Sequence, residues 1–278
     1  MRLQFLASLG LLAVQCLAIG ADVPRPKEPP AGLSIAWTNG MLTVSGPDVP
    51  GGRVDTWYLE AFCRSGAHDR DWSQTTIPHK TELVSADKAG KRLKLRTRVE
   101  PDIEVLHEIR AGKDEVDFRL SLKNRGRESS DVQWFQPCIR VDRFTGRGQS
   151  NYHERCFILT DRGLTTLDQT RRTEEARYRG GQVYVPPEIR PEDVNPRPIS
   201  RDVPLNGLMG CFSADNRFIL ATAWNKTHEL FQGVIVCIHN DPHIGGLKPG
   251  ETKKLRGKVC ILPNDPDALL KRYRRDFH

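Results

Sequence analysis

The sequence predicts an all-β protein: a large antiparallel β-sandwich with one short C-terminal α-helix. Apolar and polar residues alternate with period two through run after run of the middle of the chain, as in strands with one buried and one wet face. Clusters of Gly, Asn, Asp and Pro separate these runs. Only the stretch after Asp265 places apolar residues at helical spacing. With 278 residues and 38% apolar content, the chain can bury one large core.

The elements follow in order. Residues 1–20 have a basic start at Arg2, an apolar centre too short to span a bilayer, and small Ala18 and Gly20 before Ala21, which predicts a secretory signal. Gln15 ahead of Cys16 argues against lipid attachment, which wants a small side chain there. The expected location is secreted or periplasmic, and no later stretch is apolar enough to give a membrane partner after cleavage. Pro24, Pro26, Pro29 and Pro30 make 21–32 a Pro-rich tether, leaving 33–278 as a single domain. Leu33, Ile35 and Trp37 alternate up to Asn39-Gly40, whose positive φ suits a tight turn into Leu42 and Val44. Val54 to Cys63 reads as an aromatic strand.

Leu93 to Val99, Ile103 to Ile109 and Val116 to Leu122 form three successive strands of a meander. Val132 to Val141 and Cys156 to Leu159 read as a further pair. From 167 to 204 the pattern is lost among six prolines, giving a long irregular loop whose tyrosines favour packing over disorder. Strands resume at Leu208 to Phe212, Phe218 to Trp224, the apolar run starting at Val234, and Leu255 to Leu262. Asp265 caps a helix over 265–277, which lays Leu269, Leu270, Tyr273 and Phe277 on a sheet and turns Lys271, Arg272, Arg274 and Arg275 to water.

Loss of the signal, which carries one charge, takes the net charge from +7 to +6. Basic residues alternate with acidic ones rather than gathering with aromatics, so no nucleic-acid partner is expected. Six cysteines remain, and an exported chain of this size suggests one or two disulfides. No pair has Cys-x-x-Cys spacing, so neither a structural zinc nor any other cofactor is expected. Gly-x-Ser-x-Gly, P-loop and dinucleotide fingerprints are absent.

Candidate site residues come from chemistry. His239, Asp241 and His243 would share one face of a continuing strand and could hold a metal; Pro242 argues that the strand has ended, so the expected reading is a hydrogen-bonded turn. The aromatic strand carries Trp57 and Glu60, and His68, Asp71, Trp72 and His79 follow it, supplying a platform for a sugar's apolar face and polar groups for its hydroxyls. Trp134 and Arg140 neighbour one another, and Arg140 could clamp a carboxylate or sulfate. His107 lies on the apolar side of its strand, as a core histidine or a residue facing a ligand. Trp224, His228 and Glu229 precede the Val234 run, and the His-Glu pair could serve as acid and base.

The stretches Gln136-Pro137-Cys138-Ile139-Arg140-Val141-Asp142-Arg143-Phe144-Thr145-Gly146, Gly210-Cys211-Phe212-Ser213-Ala214-Asp215, Leu230-Phe231-Gln232-Gly233-Val234-Ile235-Val236-Cys237 and Leu247-Lys248-Pro249-Gly250-Glu251-Thr252 resemble an uncharacterised family of exported proteins from planctomycete-type bacteria. That family implies no activity. The strand-rich layout also resembles the galactose mutarotase-like β-sandwiches, which implies sugar handling by histidines and a glutamate in a sheet concavity; no catalytic residue carries over. The expected function is to bind or process carbohydrate, including sulfated or uronic-acid polysaccharide, with His228, Glu229, His239 and His107 as candidates for acid-base work. The alternative is a non-catalytic cell-surface or matrix module. A histidine within several Å of a carboxylate inside a concavity separates the two.

Overall fold

A computed structural model describes residues 32–179 and 181–277. The signal, and the tether up to residue 31, lie outside the described residues. Two antiparallel sheets face each other. The first runs β1 (Ser34–Thr38), β2 (Met41–Ser45), β3 (Arg53–Arg64), β9 (Val132–Arg140), β16 (Cys237–Pro242), β15 (Thr227–Gln232) and β12 (Gln182–Tyr184), with β4 (Thr76–Ile77) also on β3. The second runs β11 (Gly163–Thr166), β10 (Cys156–Thr160), β13 (Met209–Phe212), β14 (Phe218–Trp224), β17 (Thr252–Pro263), β8 (Glu115–Asn124), β7 (Ile103–Ala111), β6 (Arg92–Val99) and β5 (His79–Ala86). Short helices α1 (Trp72–Thr75), α2 (Asp142–Thr145) and α3 (Glu174–Arg179) sit in connections, and α4 (Pro266–Phe277) ends the chain.

The alternating residues of β6, β7 and β8 point Leu95, Val105, Ile109, Phe118 and Leu122 inward against Tyr58, Phe62, Phe135 and Ile139 of the first sheet. Burying these faces is the main drive to fold. On the outside of the second sheet, Leu269 and Tyr273 of α4 cover Ile219, Ala221 and Cys260, and Asp265 Oδ1 accepts from the Ala268 amide at 3.0 Å as the predicted cap.

Several expectations need correction. β9 and β10 are not partners: β9 pairs with β3 and β16 in the first sheet, β10 with β11 and β13 in the second. Arg272 does not face water, because it binds Asp114 with two bonds of 2.9 Å and also reaches Glu115. The 167–204 segment holds α3 and β12, and Val183, Ile189 and Val194 pack on Phe231 of the first sheet. The Val234 run is inverted relative to its reading. Val234 and Ile235 are 40% and 38% exposed, whereas Cys237–Pro242 is the buried strand. All six described cysteines are free, buried thiols, with no disulfide among the described residues.

Candidate functional site

The site lies on the outer face of the first sheet, where register brings together residues far apart in the chain. The β16 strand runs through to Pro242, so Cys237, His239 and Asp241 do share one face. Phe231 and Glu229 of β15 stand opposite His239 and Asp241. On the other side Ile238 stands opposite Ile139 of β9, which sets Cys138 beside His239. Asn240 points the other way, donating to the carbonyls of Gly207 and Thr222 at 2.5 and 3.0 Å. Between Trp57 and Ala61 the register of β3 against β9 shifts, with Leu59 at φ +67°, and this irregularity aims Glu60 outward.

These side chains floor a cleft of about 500 Å³. Gln136, Cys138, Cys237, His239 and Phe231 form the base; Glu60 and the segment from His68 to Trp72 form one wall; Asn195, Pro196 and Arg197 form the other, with Val234 and Ile235 at the rim. The covering 167–204 segment thus supplies a wall, and its long irregular path has a use. At the base, Cys237 Sγ lies 3.1 Å from His239 Nε2. The opposite ring nitrogen, Nδ1, lies 3.9 Å from Glu60 Oε2, and neither of these two buried atoms has a hydrogen bond. A hydrogen bond with Cys237, then burial, holds the Cys138 thiol well above its usual range.

Beside the base, on the same face of the sheet, is a buried polar group. Gln136 Nε2 donates to Asp241 Oδ2 at 3.3 Å, and the Asn195 amide donates to Glu229 Oε2 at 2.9 Å. Burial drives the carboxyls of Glu229 and Asp241 up, and for Asp241 the charge of Glu229 adds to this. Glu229 Oε1 and Asp241 Oδ1 have no other partner, so a proton held by this pair satisfies an oxygen that would otherwise be stranded. His228 Nε2 lies 3.1 Å from the Asp193 carbonyl, which can only accept, so that nitrogen carries the proton. His228 Nδ1 then accepts from His243 Nδ1 at 3.0 Å. The ring stacks between Trp134 and His243, and burial lowers its pKa to about 3.

Of the predicted residues, Glu60, His68, Asp71, Trp72 and His239 line the cleft together. His228 and Glu229 do not: both side chains are fully buried, and His228 Nε2 stands 4.0 Å from Glu229 Oε2. His107 is a satisfied core histidine, 3.1 Å from Tyr58 Oη and 3.0 Å from Thr97 Oγ1, with its pKa lowered to about 3 by burial. Trp224 is in the core against Phe118 and Phe135. His79 belongs to β5 and a separate groove near Pro101, with Nε2 2.9 Å from the Leu59 carbonyl. Trp57 is exposed away from the cleft, Arg140 is half-buried at the end of β9, and Trp134 packs behind Trp72 at 6.2 Å. His239, Asp241 and His243 do not converge, because His243 turns to His228. Cys138 and Cys237 were missed as site residues; only the β9–β16 register brings them to His239, and no spacing in the sequence carries that.

No family model matches the chain, and no curated protein does. Solved structures resemble its fold. The Slr1438 protein of Synechocystis sp. PCC 6803 is 8% identical, over 84% of this chain and 96% of that one, with a TM-score of 0.45. A galactose mutarotase-like protein from Clostridium acetobutylicum is 12% identical, over 82% and 94%, at 0.43. The galactose mutarotase related enzyme of Lactobacillus acidophilus is 8% identical, over 82% and 97%, at 0.42.

Proposed function

We propose that the chain is an exported protein whose cleft takes a carbohydrate, and that Glu60, facing His239, exchanges a proton with the bound sugar. One observation carries this reading: Glu60 Oε2 and His239 Nδ1 face each other at 3.9 Å, both without a hydrogen bond, in a cleft of about 500 Å³. Buried polar groups are normally paired, so an unpaired carboxylate and imidazole in an open cavity are available to a ligand. Trp72, 37% exposed, offers its face to the apolar side of a sugar ring. Arg70, Asp71 and Asn195 surround the hydroxyl positions, and Arg197 adds charge that suits a uronate or sulfate. Glu60 takes the proton from a hydroxyl or an acidified ring carbon and returns it after the bond change, while His239 fixes its orientation.

The test uses a glycan array and a turnover screen on polysaccharides and free sugars. Trp72→Ala is expected to weaken binding ~10-fold. Glu60→Gln is expected to keep binding within a few-fold and to lower turnover ~100-fold or more. Binding without turnover by the wild-type chain would make it a non-catalytic module, and no binding to any glycan would remove the carbohydrate reading.

A further inference from the structure

We propose that Cys138, Cys237 and His239 form a binding site for a zinc-class divalent metal ion at the base of the cleft. This site shares His239 and its neighbour Glu60 with the carbohydrate reading, and it is tested without any sugar. The ligand atoms would be the two Sγ atoms and His239 Nε2, with the fourth position open to the cavity. All three atoms lie within 4.8 Å of one another, and the Cys237–His239 pair is already at 3.1 Å. Ligand atoms around a tetrahedral zinc stand about 3.5–3.8 Å apart, so rotamer adjustments of roughly an ångström or less complete the geometry. Two thiolates and an imidazole are the donor set that zinc prefers over magnesium or calcium, and three protein ligands leave a position for water or substrate.

A second observation points the same way. His239 is 2% exposed, and its Nδ1 faces Glu60 Oε2 at 3.9 Å with no hydrogen bond of its own. A metal-bound imidazole characteristically turns its other N–H to a carboxylate, which fixes the tautomer and raises ligand basicity. A thiol–imidazole hydrogen bond alone leaves that nitrogen and the carboxylate without a hydrogen-bond partner. The backbone has also made room. A Cβ built on Gly233 would fall 2.2 Å from Cys237 Sγ and 3.2 Å from His239 Nε2, so any larger residue at 233 would press on the donor atoms. On binding, the two thiols lose their protons to solvent and bond to the ion as thiolates; no electron is transferred.

The experiment titrates the folded full-length chain, freed of metal under reducing conditions, with cobalt(II) as a spectroscopic stand-in for zinc, in the absence of any sugar. The expected result is one equivalent bound, with near-ultraviolet thiolate-to-cobalt absorption, tetrahedral visible bands, and displacement by zinc. Cys138→Ala and Cys237→Ala should each weaken binding at least ~10-fold and reduce the thiolate band, and Glu60→Gln should weaken it ~10–100-fold while keeping the band. Cys156→Ala, a thiol buried in the core, should bind as the wild type does. Circular dichroism of each metal-free variant verifies folding. The proposal is overturned by a wild-type chain that gives no thiolate band, by a band that survives in the Cys138→Ala/Cys237→Ala double variant, or by thiol counts showing the two cysteines joined as a disulfide in the native exported protein. Loss of the metal site in this assay leaves the Trp72 binding result intact, so the two readings fail separately.

Discussion

The two outer faces of the sandwich treat buried charge in opposite ways. On the second sheet, under α4, Lys258 Nζ meets Glu115 at 2.7 Å and Asp276 at 2.9 Å, while Arg272 clamps Asp114. Against the opposing pull of burial, Arg272 holds the carboxyl of Asp114 below its ordinary value, Lys258 and Arg272 that of Glu115, and Arg275 with Lys258 that of Asp276. On the first sheet, Glu60 Oε2 and His239 Nδ1 are buried with no partner, and burial pushes up the carboxyls of Glu229 and Asp241, which have each other and no cation. One face is held together by its charges. The other keeps polar groups at a cost in stability, and a fold does that where a ligand or proton is to be handled.

That contrast can be broken by substitution, largest effect first. Lys258→Met removes the cation that joins a strand to the helix and leaves two acids facing each other; it should lower stability by about 3 kcal/mol in urea unfolding. A change near zero would mean the helix face is not held by its charges. Glu229→Gln tests the other face through pH. The folded-state value of Glu229 is raised from 4.5 to about 8, so its stabilising contribution is full below the ordinary value and is lost as pH rises through the folded one. Wild-type stability should therefore fall across that window, and the glutamine variant should flatten the fall by about 2 kcal/mol. Parallel curves would place a charged, solvated carboxylate at 229. Asp265→Ala removes the α4 cap and should cost about 1 kcal/mol without affecting cobalt or sugar binding, a control on the helix side.

Sequence patterns revealed most of the sandwich where one face of a strand is wet. Each of β6, β7 and β8 alternates because its outer side chains meet water, and each was predicted nearly to the residue. The Thr-His-Glu-Leu-Phe-Gln strand β15 was not predicted, because it is buried on both faces and its polar residues find partners in the segment that covers it. The same cause inverted the reading of Val234 to Pro242: polar His239, Asn240 and Asp241 are buried by contacts from elsewhere in the chain, while apolar Val234 and Ile235 edge the cleft. Glu60, His68, Asp71 and Trp72 were legible as one wall because they lie close together in sequence. The base was not, since Cys138 and Cys237 meet only through pairing of distant strands, which local pattern does not encode.

The most direct test of the account measures stability and sugar turnover together on Glu60→Gln. A functional carboxylate kept unpaired at a cost predicts unfolding stability equal to or above wild type, with turnover down ~100-fold or more. Stability lowered as far as in Lys258→Met, with turnover unchanged, would show that Glu60 is a structural charge and that the cleft works, if at all, without it.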